Sequence, residues 1–179
     1  LKAQKAAIAE MIPGKYIVEG RNKSSETLIG GLIKLGLITD PESTWQKKFY
    51  LVHGISHFLG MNVHDVGDYG VPDSVLSQTI GVDTTYGRLL EEGMVLTVEP
   101  GLYFRSNGLS QLYEMFGNEI SHEEIQDFIT AVSPVYEKYK NIGVRIEDDV
   151  LITSNGCIVL SKNIPKEIDE IERIMSRRN

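Results

Sequence analysis

The chain has 179 residues, of which 41% are hydrophobic and 24% are charged, so it can form one domain with a core but hardly two. Its net charge of −7 argues against a protein that holds nucleic acid by the phosphates. No apolar run approaches the ~20 residues of a membrane helix. The single cysteine, Cys157, favours a reducing cytoplasm over an oxidising compartment.

Helices are predicted for the first part of the chain. Strong helix formers run from Leu1 to Ile12 and stop at Pro13-Gly14. This helix has no capping residue at its start, so we expect the chain to be a piece of a longer protein whose helix is entered part-way. The next predicted elements are an extended Tyr16–Val18, a helix from a Ser24 or Ser25 cap to Gly36, and a helical turn after Ser43.

Strands are predicted for the later part of the chain, after a loop at Gly67–Thr85. Five apolar runs have strand character: Met94–Glu99, Leu102–Phe104, Gly143–Glu147, Asp149–Thr153 and Cys157–Leu160. Ser154-Asn155-Gly156 is a hairpin signal, and Pro165 is expected to open a final helix. Helices at both ends and hairpin-linked strands between them predict an α+β fold with an antiparallel sheet.

Three of the four histidines fall within twelve residues: His53, His57 and His64. A lone histidine is usually structural, but three together, among glycines that allow close backbone approach, favour a site. The spacing of His53 and His57 is not that of the zinc motif H-E-x-x-H, because Gly54 stands where the glutamate is needed.

Glu99 and Glu147 each end an apolar strand. A carboxylate at the inner end of such a strand is costly unless it is paired, hydrogen-bonded or bound to a metal. The residues alone leave alternatives open. Glu99 could face solvent at the strand end, and Arg145, which shares a strand face with Glu147 by alternation, could form a cross-strand salt bridge.

Three motifs carry these histidines and glutamates. In chain order they are His53-Gly-Ile-Ser-His57-Phe-Leu-Gly60 with Val63-His64-Asp65-Val-Gly67, Glu92-Gly-Met-Val-Leu-Thr-Val-Glu-Pro-Gly-Leu-Tyr103, and Gly143-Val-Arg-Ile-Glu-Asp-Asp149. Together they resemble the Xaa-Pro aminopeptidase and prolidase branch of the pita-bread metallopeptidases. The resemblance is close from Phe49 to Thr153, apart from residues 106–140.

The resemblance implies a curved, mostly antiparallel sheet with helices on its outer side and a site for two divalent metal ions with five protein ligands. By position, His57, Glu99 and Glu147 would be metal ligands, and Glu99 would also move a proton. One imidazole with carboxylates suits manganese foremost, and also cobalt, iron or zinc. Two such ions about 3.5–4 Å apart can share a hydroxide and polarise a scissile carbonyl.

The resemblance also implies roles for residues around the metals. His53 and His64 would bind substrate and help to hold the developing oxyanion. Arg145 would support Glu147 and the histidine cluster. The substrate would be a proline-containing peptide, cleaved at an N-terminal Xaa-Pro bond or in an Xaa-Pro dipeptide, and a homo-oligomer is expected.

The chain departs from the family pattern in two ways. The family takes its other two metal ligands from paired aspartates on upstream strands, and Asp40, Asp65, Asp68 and Asp73 do not match them. Residues 1–179 are therefore expected to be the C-terminal portion of one catalytic domain, inactive alone and binding metal weakly or not at all. Residues 106–140 are expected to be a helical insertion, with a Ser121/Glu124 capping box and an interruption at Pro134.

Other functions remain as alternatives. A non-catalytic pita-bread module could bind a peptide or protein partner, although such modules tend to lose ligands. A structural metal site is disfavoured because such sites prefer closed tetrahedral Cys/His sets. Because a sheet cut within its domain leaves an open edge, the chain is also expected to self-associate or to be locally disordered near Phe49–Tyr86.

Overall fold

The computed structural model describes residues 1–67 and 88–176. The helices of this part are α1 (Lys2–Ile8), α2 (Ile17–Lys34), α3 (Thr44–Tyr50), α4 (Gly108–Phe116), α5 (His122–Tyr139) and α6 (Ile168–Met175). The strands are β1 (Leu59–Gly60), β2 (Val63–His64), β3 (Val95–Val98), β4 (Gly101–Tyr103), β5 (Gly143–Arg145), β6 (Asp148–Thr153) and β7 (Gly156–Val159). This mixture confirms the predicted α+β class. Most of the loop predicted at Gly67–Thr85, with Asp68 and Asp73, lies outside the described residues.

The main sheet is antiparallel, as predicted, and its strand order is β3-β6-β7. The hairpin signal at Ser154 is confirmed, because β6 and β7 pair up to Thr153 and Gly156. Along the free edge of β3, residues 55–58 run antiparallel through a bridge between Phe58 and Leu96. A short hairpin of β1 and β2 follows this segment and carries His64.

A second ladder, β4 with β5, continues the register of β3 with β6. Val98 pairs with Asp148 in the first ladder, and Gly101 pairs with Arg145 in the second. Both ladders therefore place Glu99 opposite Glu147, in the gap between them. The Ile146 N–H bridges this gap by donating to the Pro100 carbonyl at 3.2 Å.

Strand alternation gives the main sheet two different faces. One face is buried against the N-terminal helices and their connection, through Leu96, Val98, Val150, Ile152, Ala7, Met11 and Ile17. The opposite face, termed the open face below, carries Thr97, Glu99 and Glu147. The fold thus supports this polar row from behind with a hydrophobic core.

Residues 106–140 form α4 and α5, which pack with α2 and α3 around a second core. Six side chains of the two helices are buried there: Leu112, Phe116, Ile125, Phe128, Val132 and Tyr136. The Trp45 ring meets Phe128 edge-on with 4.9 Å between ring centroids. The segment is therefore part of the domain core, and its status as an insertion stays a prediction.

Two predictions at the start of α2 are wrong. Tyr16 alone is extended, and α2 begins at Ile17 rather than at a serine cap. Ile17 and Val18, which have strand character, are instead buried on the first turn of α2, and Ser24 is fully buried inside the helix. Burial of the apolar face outweighed local propensity here.

The helix with the predicted capping box also differs from expectation. The Ser121 hydroxyl accepts from the Glu124 N–H at 3.2 Å, as predicted, but the Glu124 carboxylate accepts from the Trp45 indole N–H at 2.9 Å. Pro134 does not interrupt α5, which runs unbroken from His122 to Tyr139. Burial of Val132 and Tyr136, on either side of the proline, offsets the loss of the helical hydrogen bond that the proline removes.

Candidate metal centre

The three predicted metal ligands meet on the open face. His57, Glu99 and Glu147 each offer one ligand atom, and these atoms lie within 4.8 Å of one another. The shared register of the two ladders brings the glutamates face to face. His57 arrives on the other side of β3, where its carbonyl accepts from the Thr97 N–H at 2.9 Å. Three segments distant in sequence are thus fixed by backbone pairing.

Glu99 is buried, with 6% of its surface exposed, and its carboxylate is fully engaged. One oxygen lies 3.2 Å from His57 Nε2 and accepts from the Thr97 hydroxyl, also at 3.2 Å. The other oxygen accepts from Arg145 at 2.7 Å. This arrangement rules out the alternative of a solvent-facing strand end, and it meets the requirement that a buried charge be paired.

Glu147 is more exposed than Glu99 and has an unfavourable neighbour. Its partial burial, and then the negative charge of Glu99, raise the pKa of Glu147, while Arg145 and His57 oppose the shift. Two facing carboxylates favour protonation of one of them, or a cation between them. The pair is therefore electrostatically suited to a divalent ion.

The His57 ring is oriented for coordination. Its Nδ1 lies 2.9 Å from the Phe58 carbonyl oxygen. In the tautomer that donates Nδ1–H to this carbonyl, Nε2 carries the lone pair that a metal needs. The His64 ring, from β2, lies 4.0 Å from the His57 ring between centroids. His64 thus stands beside the ligand group without belonging to it.

Arg145 connects the ligand group to His53 through Tyr103. The Arg145 Nε donates to the Tyr103 hydroxyl at 2.6 Å, and the Tyr103 ring lies 5.6 Å from the His53 ring. A Cβ at Gly101 would lie 2.7 Å from that hydroxyl, so the glycine leaves room for the contact. The ion pair of Arg145 is with Glu99, whereas the resemblance implied support of Glu147.

His53 keeps one ring nitrogen available. Its Nδ1 lies 2.6 Å from the Gly54 carbonyl oxygen, while Nε2 is buried and has no hydrogen-bond partner in the described part of the chain. A buried nitrogen without a partner is costly unless a further group occupies the site. This atom is consistent with contact to a bound molecule.

Sequence reasoning missed two residues of this site, Thr97 and Tyr103. The Thr97 hydroxyl accepts from the His57 N–H at 3.0 Å as well as donating to Glu99, so it connects two of the predicted ligands. Both residues share the strand alternation of Glu99, two positions before it and four after it. That period-2 pattern was the available signal.

The donor set fits a divalent metal. One imidazole nitrogen and two carboxylates match manganese, cobalt, iron or zinc, and there is no thiolate in the group. Within residues 1–67 and 88–176, the group that could hold a metal ion consists of three residues. Such a set leaves coordination positions for other ligands, as catalytic sites require. No helix in the same ranges has the length and apolar character to cross a membrane.

Comparison with known proteins is consistent across sequence and structure. A model of metallopeptidase family M24 matches residues 1–154. A Xaa-Pro aminopeptidase of Haemophilus influenzae is 36% identical over 181 residues, which is 98% of this chain and 33% of that protein. The chain spans about a third of the length of the curated relatives it matches.

Two solved structures are similar over the same extent. Zn-substituted Escherichia coli aminopeptidase P in complex with product has a TM-score of 0.71 and 31% identity, and the match covers 99% of this chain and 33% of that one. Aminopeptidase P from E. coli with the inhibitor Pro-Leu has a TM-score of 0.69 and 31% identity, and the match covers 98% of this chain and 32% of that one.

Proposed function

This chain belongs to metallopeptidase family M24 and has the pita-bread fold expected from its motifs, and on that premise we propose that it is part of a metal-dependent exopeptidase. The substrates are peptides with proline in the second position, or Xaa-Pro dipeptides, and the bond cleaved precedes the proline. The observation that carries this proposal is the convergence of His57, Glu99 and Glu147 within 4.8 Å on the open face.

These three residues hold the metal, for which we propose manganese, with cobalt, zinc or iron as substitutes. When bound, two divalent ions supply Lewis-acid polarisation of the scissile carbonyl and lower the pKa of water. The remaining ligands come from outside the group seen here. We therefore propose that this chain alone is inactive and binds metal weakly or not at all.

The side chains around the ligands supply the rest of the chemistry. Glu99 takes a proton from the attacking water and passes it to the leaving nitrogen, a role suited to a carboxylate held by Thr97 and Arg145. His53 and His64 flank the predicted ligands, bind the substrate and help to hold the developing oxyanion. The partnerless Nε2 of His53 supports this role.

The proposal also covers the cellular location and the oligomeric state of the enzyme. A single cysteine supports a reducing compartment, so we place the protein in the cytoplasm. We expect the complete protein to be a homo-oligomer. Two of the similar structures contain a product and the inhibitor Pro-Leu, which supports proline peptides as ligands.

The test is manganese-dependent release of the first residue from a short Xaa-Pro-Xaa peptide. This chain is assayed beside a version extended upstream of Leu1, with Glu99→Ala and, as a matched control, Glu92→Ala at an exposed turn. We expect activity only in the extended protein, lost in Glu99→Ala and kept in Glu92→Ala. Silence of a well-folded extended protein would overturn the proposal in favour of a binding module.

A further inference from the structure

A buried carboxylate lies directly beside Glu147, and no step above uses it. Asp148 is 3% exposed. Its carboxylate accepts from the Ser161 hydroxyl at 2.5 Å, from the Lys166 ammonium at 2.8 Å and from the Gln4 side-chain amide. We name these four residues the Asp148 clamp. So many donors on one carboxylate mark a specifically built site.

The clamp joins three distant parts of the chain. Gln4 belongs to α1, Asp148 begins β6, and Ser161 and Lys166 lie between β7 and α6. The Lys166 ammonium also donates to the carbonyls of Ser161 and Ile164 at 3.1 and 3.0 Å, which uses its three hydrogens. The Ser161 hydroxyl also accepts from the Asp149 N–H at 3.2 Å. Both residues that follow Glu147 are therefore tethered.

The position of Glu147 depends on its neighbours in the chain. It lies in the gap between β5 and β6, so Ile146 and Asp148 define the path of its backbone. Alternation directs Glu147 to the open face and Asp148 to the helix-covered face. A rotation of the strand about its axis would move both carboxylates together. Hydrogen bonds that hold Asp148 on the helix-covered face therefore also fix the orientation of Glu147 on the open face.

We propose that Asp148 is a positioning residue for Glu147, and that the clamp makes metal affinity depend on the packing of both ends of this chain against β6. The inference rests on the proposed metal site. Removal of groups that orient metal ligands commonly weakens metal affinity by about 10–100-fold. The distinctive expectation is that replacing Lys166 weakens metal affinity, although the ion pair of Lys166 is with Asp148 on the helix-covered face.

The test measures cobalt and manganese binding by the upstream-extended protein. The variants are Asp148→Asn, Lys166→Met and the milder Ser161→Ala, with Lys166→Arg as the conservative rescue. Lys5→Met is the matched control, because Lys5 pairs with Glu167 at 2.5 Å across the same two segments but in solvent. The readouts are manganese affinity by electron paramagnetic resonance and the visible spectrum of bound cobalt, both well below the melting temperature.

We expect manganese affinity about 10–100-fold weaker and an altered cobalt spectrum in Asp148→Asn and Lys166→Met. A smaller loss is expected in Ser161→Ala, with near-normal binding in Lys166→Arg and Lys5→Met. Unchanged affinity and spectrum in the folded variants would overturn the proposal, and Ser161→Ala decides this if Asp148→Asn fails to fold. Absence of metal binding by the unmutated protein would instead overturn the proposed function, and this proposal with it.

Discussion

Replacing Thr97 by valine removes one hydroxyl and leaves the shape of a fully buried side chain almost unchanged. That hydroxyl accepts from the His57 N–H at 3.0 Å and donates to Glu99 at 3.2 Å. Leaving a buried donor unpaired costs about 1–3 kcal/mol. In a domain of about 150–250 residues, each kcal/mol lowers the melting temperature by about 2–4 °C, and the shift is smaller in a longer protein. Because two ligands lose a shared support, manganese affinity should fall by about 10–100-fold.

The assay is manganese titration of the upstream-extended protein, followed by electron paramagnetic resonance of the free ion, with thermal unfolding measured in parallel. Thr97→Ser, which keeps the hydroxyl, is the matched control and should bind close to normally. If Thr97→Val lowers the melting temperature but binds manganese as tightly as the unmutated protein, Thr97 serves only packing. The account of the site would then be refuted at this residue.

Three further predictions concern the rest of the domain. Burial raises the pKa of Tyr50, whose hydroxyl has no hydrogen-bond partner within the described ranges. The unfolded chain therefore loses this proton first, and the stability of the fold decreases as the pH rises above about 10. Tyr50→Phe should therefore be neutral or stabilising in urea denaturation at pH 7 and should flatten the loss of stability above pH ~10; a marked loss at pH 7 would contradict this. Phe128→Ala should cost about 3–5 kcal/mol in urea denaturation, whereas a cost below ~1 kcal/mol would mean that residues 106–140 only decorate the surface. The apolar side chains of α6, Ile168, Ile171, Ile174 and Met175, are exposed, so this chain alone should self-associate in sedimentation velocity, and Ile171→Lys should reduce the association; a clean monomer would disagree.

Local sequence signals marked Glu99 and Glu147 as polar residues at the ends of apolar strands, but left their roles open. The grouping of His57, Glu99 and Glu147 came from the resemblance of three ordered motifs to a known family. The face of each residue followed from strand alternation. What the sequence could not give was the register that sets Glu99 opposite Glu147, since register depends on pairings between segments about fifty residues apart.

The contacts that could not be predicted from the sequence join residues far apart in the chain, or involve residues whose local capping or helix-breaking preference is not followed. Gln4 and Asp148 are 144 residues apart, and nothing in either neighbourhood indicates the other. Glu124 was expected to complete a capping box, but the Trp45 indole competes for its carboxylate. Pro134 remains inside a helix because burial on both sides of it outweighs the missing hydrogen bond. In each case tertiary packing decides what the local pattern left ambiguous.

The proposed activity depends on metal binding by His57, Glu99 and Glu147. Anomalous diffraction at the manganese edge, from crystals of the upstream-extended protein soaked in manganese, tests it most directly. We expect an anomalous peak within coordinating distance of His57 Nε2 and of both carboxylates. A peak elsewhere, for example in the open groove lined by Asp40, Glu123 and Asp127, with none between Glu99 and Glu147, would contradict it.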